Sequence, residues 1–333
     1  MRKTILFFGL LLMVTAVNSQ KLHSTSEILQ LMMDSKLGYE IKILDKPILC
    51  KDYSDKLNSN NCYRVSTDSN IKTLAYSLNE QSKPLFSKAE SFFKSNPDSA
   101  LFYYELALNA DPKLFLVMTY IGQIYEHKNN LVNAMEWYKK AISQNYIDYM
   151  AHWFLADAYD ATGNLDKAVD EIAIAQILNR NNYRIKSSMN KIFSKANKST
   201  EEWYFNPQIE IKKKSEKSIS VAMDEKWSGY GMAKALWDFE PGYKESMGIK
   251  NNQHSTIEDK ECLAALLVTL ENTKANIDND AQLRILKDAV NNKYIDEYIF
   301  YEIFLPENPM IAYQLPEETI LRIKDYILNI RNK

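Results

Sequence analysis

An all-α fold is predicted for this chain: a superhelix of short helix hairpins, followed by a second, mainly helical module. Three observations carry the prediction. Ala100, Ala134 and Ala168 recur at intervals of 34 residues, and so do Ala107, Ala141 and Ala175. Inside one unit, "YIGQIYEHKNNLVNAMEWYKKAI", apolar residues return every three or four positions on either side of the polar break "KNN", the period of two short amphipathic helices. Beyond residue 255 the same steps reappear at Leu263, Leu266, Leu267 and Leu270.

The first nineteen residues read as an export leader: Arg2 and Lys3, an apolar run from Ile5 to Val17, and Val17 and Ser19 at cleavage-compatible positions. The apolar run is too short for a membrane span, which takes about 20 residues. Gln20 and Lys21 follow it, with no cysteine there for acylation, so the expected location is periplasmic or extracellular. A length of 333 residues leaves room for about two domains. The net charge of −2 argues against nucleic acid as a partner.

Residues 20–80 are expected to form an N-terminal cap. Cys50 and Cys62 bracket "KDYSDKLNSNN", a polar stretch with little to bury, and in an oxidising compartment a Cys50–Cys62 disulfide is expected there. Closing so short a loop would stabilise the cap by about 3 kcal/mol. Cys262, in "ECLAALLVTL", reads as a buried thiol.

The repeat region is expected over 81–196. Gly122, Ala134 and Ala141 are small where two helices must approach closely, and Tyr125 and Tyr159 share the 34-residue offset. Asn96 before Pro97, and Asp111 before Pro112, place a capping side chain ahead of a proline suited to a first helical turn. After the third unit, Ile185, Met189, Ile192, Phe193 and Ala196 form one more apolar face, as a helix closing a stack requires.

This pattern resembles the tetratricopeptide repeat (TPR) family, whose units are 34-residue helix pairs. The family's small, aromatic, alanine, aromatic and alanine positions look like Gly122, Tyr125, Ala134, Tyr138 and Ala141, then like Ala156, Tyr159, Ala168, Ile172 and Ala175, where only Ile172 departs. The unit from Pro84 to Pro112 reads as a degenerate terminal repeat. The resemblance implies a protein-interaction scaffold whose first helices line a groove holding an extended protein segment. By position, that groove would present Thr119, Gln123, Glu126 and His127, then Trp153, Asp157 and Asp160, then Arg184, Ser187, Lys191 and Lys195. One branch of the family grips a terminal carboxylate with lysine and asparagine. Those positions here are Thr119, Gln123, Tyr120 and Phe154, so that ligand is not implied.

Residues 197–222, including "EIKKKSEKS", read as a charged linker, and 223–333 as a helical C-terminal module. Ser255 and Glu258 have capping-box spacing. In "KWSGYGMAKALWDFEPGY", Trp227, Tyr230, Lys234 and Trp237 share one helical face, stopped by Pro241 and Gly242. If core, this face docks the module on the repeat stack, with Gly229 and Gly231 allowing close approach and Lys234 reaching solvent. If exposed, its rings would suit an envelope glycan, the alternative function. No catalytic residue set, metal site or cofactor motif is found: His23, His127, His152 and His254 have no ligand spacing, and no glycine-rich phosphate loop occurs.

Overall fold

The computed structural model of the protein describes residues 22–67, 70–249 and 255–333. The expected leader over 1–19 lies outside these residues, as does His254. Along the chain run α1 (Thr25–Asp34), β1 (Gly38–Ile43), β2 (Cys62–Thr67), β3 (Asn70–Ala75), α2 (Ser82–Phe92), α3 (Pro97–Ala110), α4 (Phe115–His127) and α5 (Leu131–Gln144). Next come α6 (Tyr149–Ala161), α7 (Leu165–Leu178), α8 (Tyr183–Lys195), β4 (Ile209–Ser215), β5 (Ser218–Met223), α9 (Ser228–Phe239) and the single turn α10 (Tyr243–Ser246). The chain ends with α11 (Thr256–Asn272), α12 (Ala281–Asn291), the short α13 (Ile295–Tyr298) and α14 (Leu305–Glu307), and α15 (Glu317–Tyr326). Helix predominates, as predicted, but two small sheets depart from an all-α fold.

The chain divides into two compact units, each discontinuous in sequence. One comprises the described residues up to Lys51 with Trp203–Ile299; the other comprises Asp52–Glu202 with Phe300–Lys333. Boundaries read from the sequence fall elsewhere, because both the 20–80 cap and the 223–333 module are split between the units. Composition reports local breaks, whereas these units are closed by segments about a hundred residues or more apart.

In the repeat-bearing unit, α2 packs on α3, α4 on α5 and α6 on α7, and α8 closes the series against α7. Ala100, Ala107, Ala134, Ala141, Ala168 and Ala175 are all fully buried at the helix crossings. Gly122 is required there, because a Cβ at this position would meet the Tyr138 ring. Helix starts are capped where the chain carries a suitable side chain: Asn96 accepts from the Ser99 N–H, Asn130 from Asn133, and Asn182 from Arg184 and Ile185. Asp111 does not cap α4, which begins only at Phe115; it accepts from the Lys113 N–H and the Tyr76 hydroxyl instead. Helix α15 lies on α7, and with this cover Ile172 through Leu178 are buried without a break.

The segment ahead of the repeats is ordered by polar anchors. Asp111, Asn145 and Asn179 occupy the same turn of successive repeats, 34 residues apart. Tyr76 donates to Asp111, the Asn145 amide donates to the Cys62 carbonyl (2.9 Å), and the Asn58 N–H donates to Asn179 Oδ1 (3.1 Å). Asn58 is 4 % exposed, and its amide also donates to the Leu178 and Pro309 carbonyls. These bonds do what the disulfide was expected to do. Cys50 and Cys62 are free thiols, the first exposed and the second half-buried, so the predicted bridge is not formed. Cys262 is a buried free thiol, as read.

In the other unit, β5 is the centre of a three-stranded sheet, parallel to β1 and antiparallel to β4. This hairpin replaces the linker expected over 197–222. Ile219, Val221 and Met223 alternate into the core, while the lysines that suggested a linker, Lys212 to Lys214, lie exposed on edge strand β4. Helix α9 covers the sheet and packs on α11, and α1 lies against both helices. The close approach rests on glycines: a Cβ on Gly229 would collide with the Ala265 carbonyl and the Thr269 hydroxyl, and one on Gly231 with Met223 Sδ at 2.7 Å.

Candidate partner-binding groove

Helix α4 packs against α6, and α6 against α8, so the first helices of successive repeats share one face. On it the structure brings together most of the residues that the family resemblance implies. Gln123 and Glu126 are half-buried and His127 exposed on α4; Trp153 and Asp157 are half-buried on α6, where the Asp160 side chain is nearly buried; Arg184, Ser187, Lys191 and Lys195 are exposed on α8.

Thr119 is the exception, fully buried and donating to Asp148 Oδ2 at 2.7 Å. Its short β-branched side chain turns under α6 to satisfy a buried carboxylate, so it does not line the face. Asp148, 1 % exposed, also caps α6 by accepting from the Met150 and Ala151 N–H groups. Burial pushes its carboxyl up to about 6, against these hydrogen bonds, which act in the opposite direction. With the folded value above the ordinary ~3.9, the neutral acid is favoured in the fold; the associated stability is full below that value and lost as pH rises through about 6. Asp148→Asn, which keeps the cap oxygen, should therefore gain about 2–3 kcal/mol on the wild type between pH 4 and pH 8 in urea unfolding. A gap independent of pH would contradict this.

The acids on the face are held by a repeating device that sequence reasoning missed. Tyr104 on α3 donates to Glu90 on α2, and Tyr138 on α5 donates to Glu126 on α4 (2.6 Å). Burial together with the adjacent carboxylate raises both phenols well above their ordinary value, so each stays a donor. In the third pair the tyrosine position is Ile172. Asp160, its side chain 5 % exposed, turns to α8 instead, to Lys195 (2.6 Å) and Lys191 (3.2 Å). Burial opposes that charge, but the two ammoniums outweigh it and hold the carboxyl below its usual range. The departure at Ile172 was the visible sign of this change of partner.

Asp157 accepts from the Ser188 hydroxyl; burial raises its carboxyl despite that bond, and Glu126 and Asp160 add to the effect. Trp153 stacks on Phe154 with ring centres 5.1 Å apart, and its indole N–H has no acceptor among the described residues. Arg184 donates to the neighbouring Tyr183 hydroxyl (3.1 Å). The face thus offers an aromatic platform, an acidic middle and a cationic end. Among the described residues no group of three His, Cys, Asp or Glu is placed to hold a metal.

The aromatic helix is a different matter. Trp227, Tyr230 and Trp237 are 2 %, 4 % and 1 % exposed, so they are core and offer no ring face to a glycan. Phe205 packs edge-on to both Trp227 and Tyr230, and the Trp237 indole N–H donates to Glu261 at 2.7 Å. The helix packs on α11 and the sheet of its own unit. Lys234 is half-buried and only partly reaches solvent: it pairs with Glu258 and with Asp238 (2.9 Å). Burial works against its charge, but these carboxylates prevail and raise its affinity for the proton. Glu258 is thereby drawn away from the expected capping box, and Ser255 caps α11 alone. No helix among the described residues is long and apolar enough to cross a membrane.

Residues 119–146 match the tetratricopeptide repeat family model. Among solved structures, the chain is similar to the first TPR of Spaghetti (RPAP3), bound there to the HSP90 peptide SRMEEVD: 23 % identity, 35 % of this chain and 93 % of that one, TM-score 0.34. It is also similar to a tetratricopeptide repeat protein from Parabacteroides merdae, at 12 % identity over 74 % of this chain and 99 % of that one, TM-score 0.33. A comparison with curated proteins finds no match. With its helix pair α4 and α5, its small residues at the crossing and its family match, the segment 119–146 is a tetratricopeptide repeat, an element of protein-interaction scaffolds.

Proposed function

We propose that the protein is a non-enzymatic scaffold that holds an extended segment of a partner protein across α4, α6 and α8, working in the periplasm or outside the cell after removal of its leader. The observation that supports this reading best is Trp153, half-buried at the middle of the face and stacked on Phe154. A rigid aromatic surface gives an extended segment a large contact area at low cost in side-chain entropy. Glu126 and Asp157 would favour a basic residue on that segment, and Arg184 and Lys191 an acidic one further along.

The test is affinity capture from an envelope extract of the source organism with wild type and a Trp153→Ala, Asp157→Asn double variant. Asparagine keeps an oxygen for the Ser188 hydroxyl and removes only the charge. With matching helical circular dichroism, the variant should lose at least tenfold in affinity for what wild type retains, the loss typical of a central aromatic anchor. Equal retention by both proteins would remove this face from the account.

A further inference from the structure

Strand β1 is an edge: it pairs with β5 on one side, and no strand among the described residues pairs with its other side. Gly38 N–H donates to the Lys217 carbonyl (2.7 Å) and Leu44 N–H to the Met223 carbonyl (3.0 Å), so the even-numbered residues spend their backbone groups on β5. In a parallel ladder the alternate residues then turn theirs away, which leaves the N–H and C=O groups of Tyr39, Ile41 and Ile43 directed outward. Such an edge invites another strand. The opposite edge, β4, is protected by its run Lys212, Lys213 and Lys214, whereas β1 exposes Ile41 (50 %) and Ile43 (79 %).

The sequence of β1, "GYEIKI", is complementary to itself when reversed. Placed antiparallel to a second copy with the two-fold axis at Ile41, each Ile41 faces its counterpart, Tyr39 faces Ile43 of the second copy, and Glu40 faces Lys42 of the second copy. The parity agrees: the outward-directed backbone groups of 39, 41 and 43 meet as the hydrogen-bonded pairs. Glu40 and Lys42 fall at the closer, non-hydrogen-bonded positions, where opposite charges attract. In one chain these two side chains pair with each other at 3.0 Å and are about half exposed, free to exchange that contact for two crossed ones. We infer that β1 is a self-association edge, at which two copies of this chain join their three-stranded sheets into one continuous sheet of six.

Sedimentation velocity over a concentration series tests this. Wild type should pass from monomer to dimer as concentration rises. Lys42→Glu replaces both crossed attractions by repulsions and should weaken the dimer by about tenfold. The Glu40→Lys, Lys42→Glu double variant reverses both charges and should restore the wild-type dissociation constant. Both positions are exposed, and circular dichroism verifies that each variant is folded. A monomer at every concentration, a dimer indifferent to Lys42→Glu, or failure of the double variant to restore association would each overturn the inference.

Discussion

Glu302→Ala should destabilise the repeat-bearing unit by about 3–5 kcal/mol, the range for removing one partner from a buried ion pair. The Glu302 side chain is completely buried. It accepts from Arg180 (3.3 Å), from Arg331 (3.1 Å) and from the Tyr326 hydroxyl (3.0 Å). Arg180 and Arg331 are themselves buried, the first lying over the Tyr301 ring at 4.2 Å. Deleting the carboxylate removes the negative charge that the two buried guanidiniums share. The neutral methyl that replaces it gives nothing back, and the cost is the desolvation of those cations. Urea unfolding of the whole chain measures it. A loss below about 1 kcal/mol would show that both arginines find water, and that the ties from Arg180 on the α7–α8 turn and from Arg331 at the C-terminal end to Glu302 contribute little.

The second large effect has a sign opposite to helix propensity. Gly229→Ala in an unconstrained helix interior would gain about 1 kcal/mol. Here a Cβ would enter the space of the Ala265 carbonyl oxygen, part of a helix backbone unable to rotate aside, and of the Thr269 hydroxyl. Separating α9 from α11 also loosens the contacts of Trp227 and Trp237 with their surroundings. A net loss of about 3 kcal/mol is expected, at the upper end of overpacking costs. Retained or increased stability would mean that the two helices are not in the contact described.

Much of the repeat stack was legible because its determinants are local. The 34-residue alanine period, the glycine at 122 and the apolar face of α8 each follow from neighbours within one or two turns, and the structure puts them where the spacing says. The sheet around β5 was less legible for two reasons. The charge run 212–217 masked the alternation of Ile219, Val221 and Met223, and β1, its parallel partner, lies about 180 residues earlier. The row Asp111, Asn145 and Asn179 shows how a visible period can hide its purpose. The spacing is plain in the sequence, but each side chain bonds a residue of the 58–76 segment. Long-range polar anchoring also undid the reading of Cys50 and Cys62, since Asn58 orders a stretch that composition alone marks as unable to order itself.

On the candidate face, all eleven expected residues lie on the first helices; the Asp160 side chain is nearly buried there, and Thr119 lies wholly inside. The failure at Thr119 is physical: nothing within its own helix announces that Asp148, 29 residues on, needs a donor. The tyrosine-to-carboxylate device across the first two helix pairs was equally hidden, although Tyr104 and Tyr138 stand one repeat apart.

Site-specific photocrosslinking in the source organism tests the central claim most directly. A photoreactive residue is placed at Gln123 or Ser187 on the candidate face, and at Val132 on α5, which is 65 % exposed, as the control position. Mass spectrometry of the same material reads the N-terminus, which the leader reading places at Gln20. The account predicts that one partner protein crosslinks from both Gln123 and Ser187 of the processed chain and not from Val132. Crosslinks that arise from Val132 while Gln123 and Ser187 remain silent would contradict it.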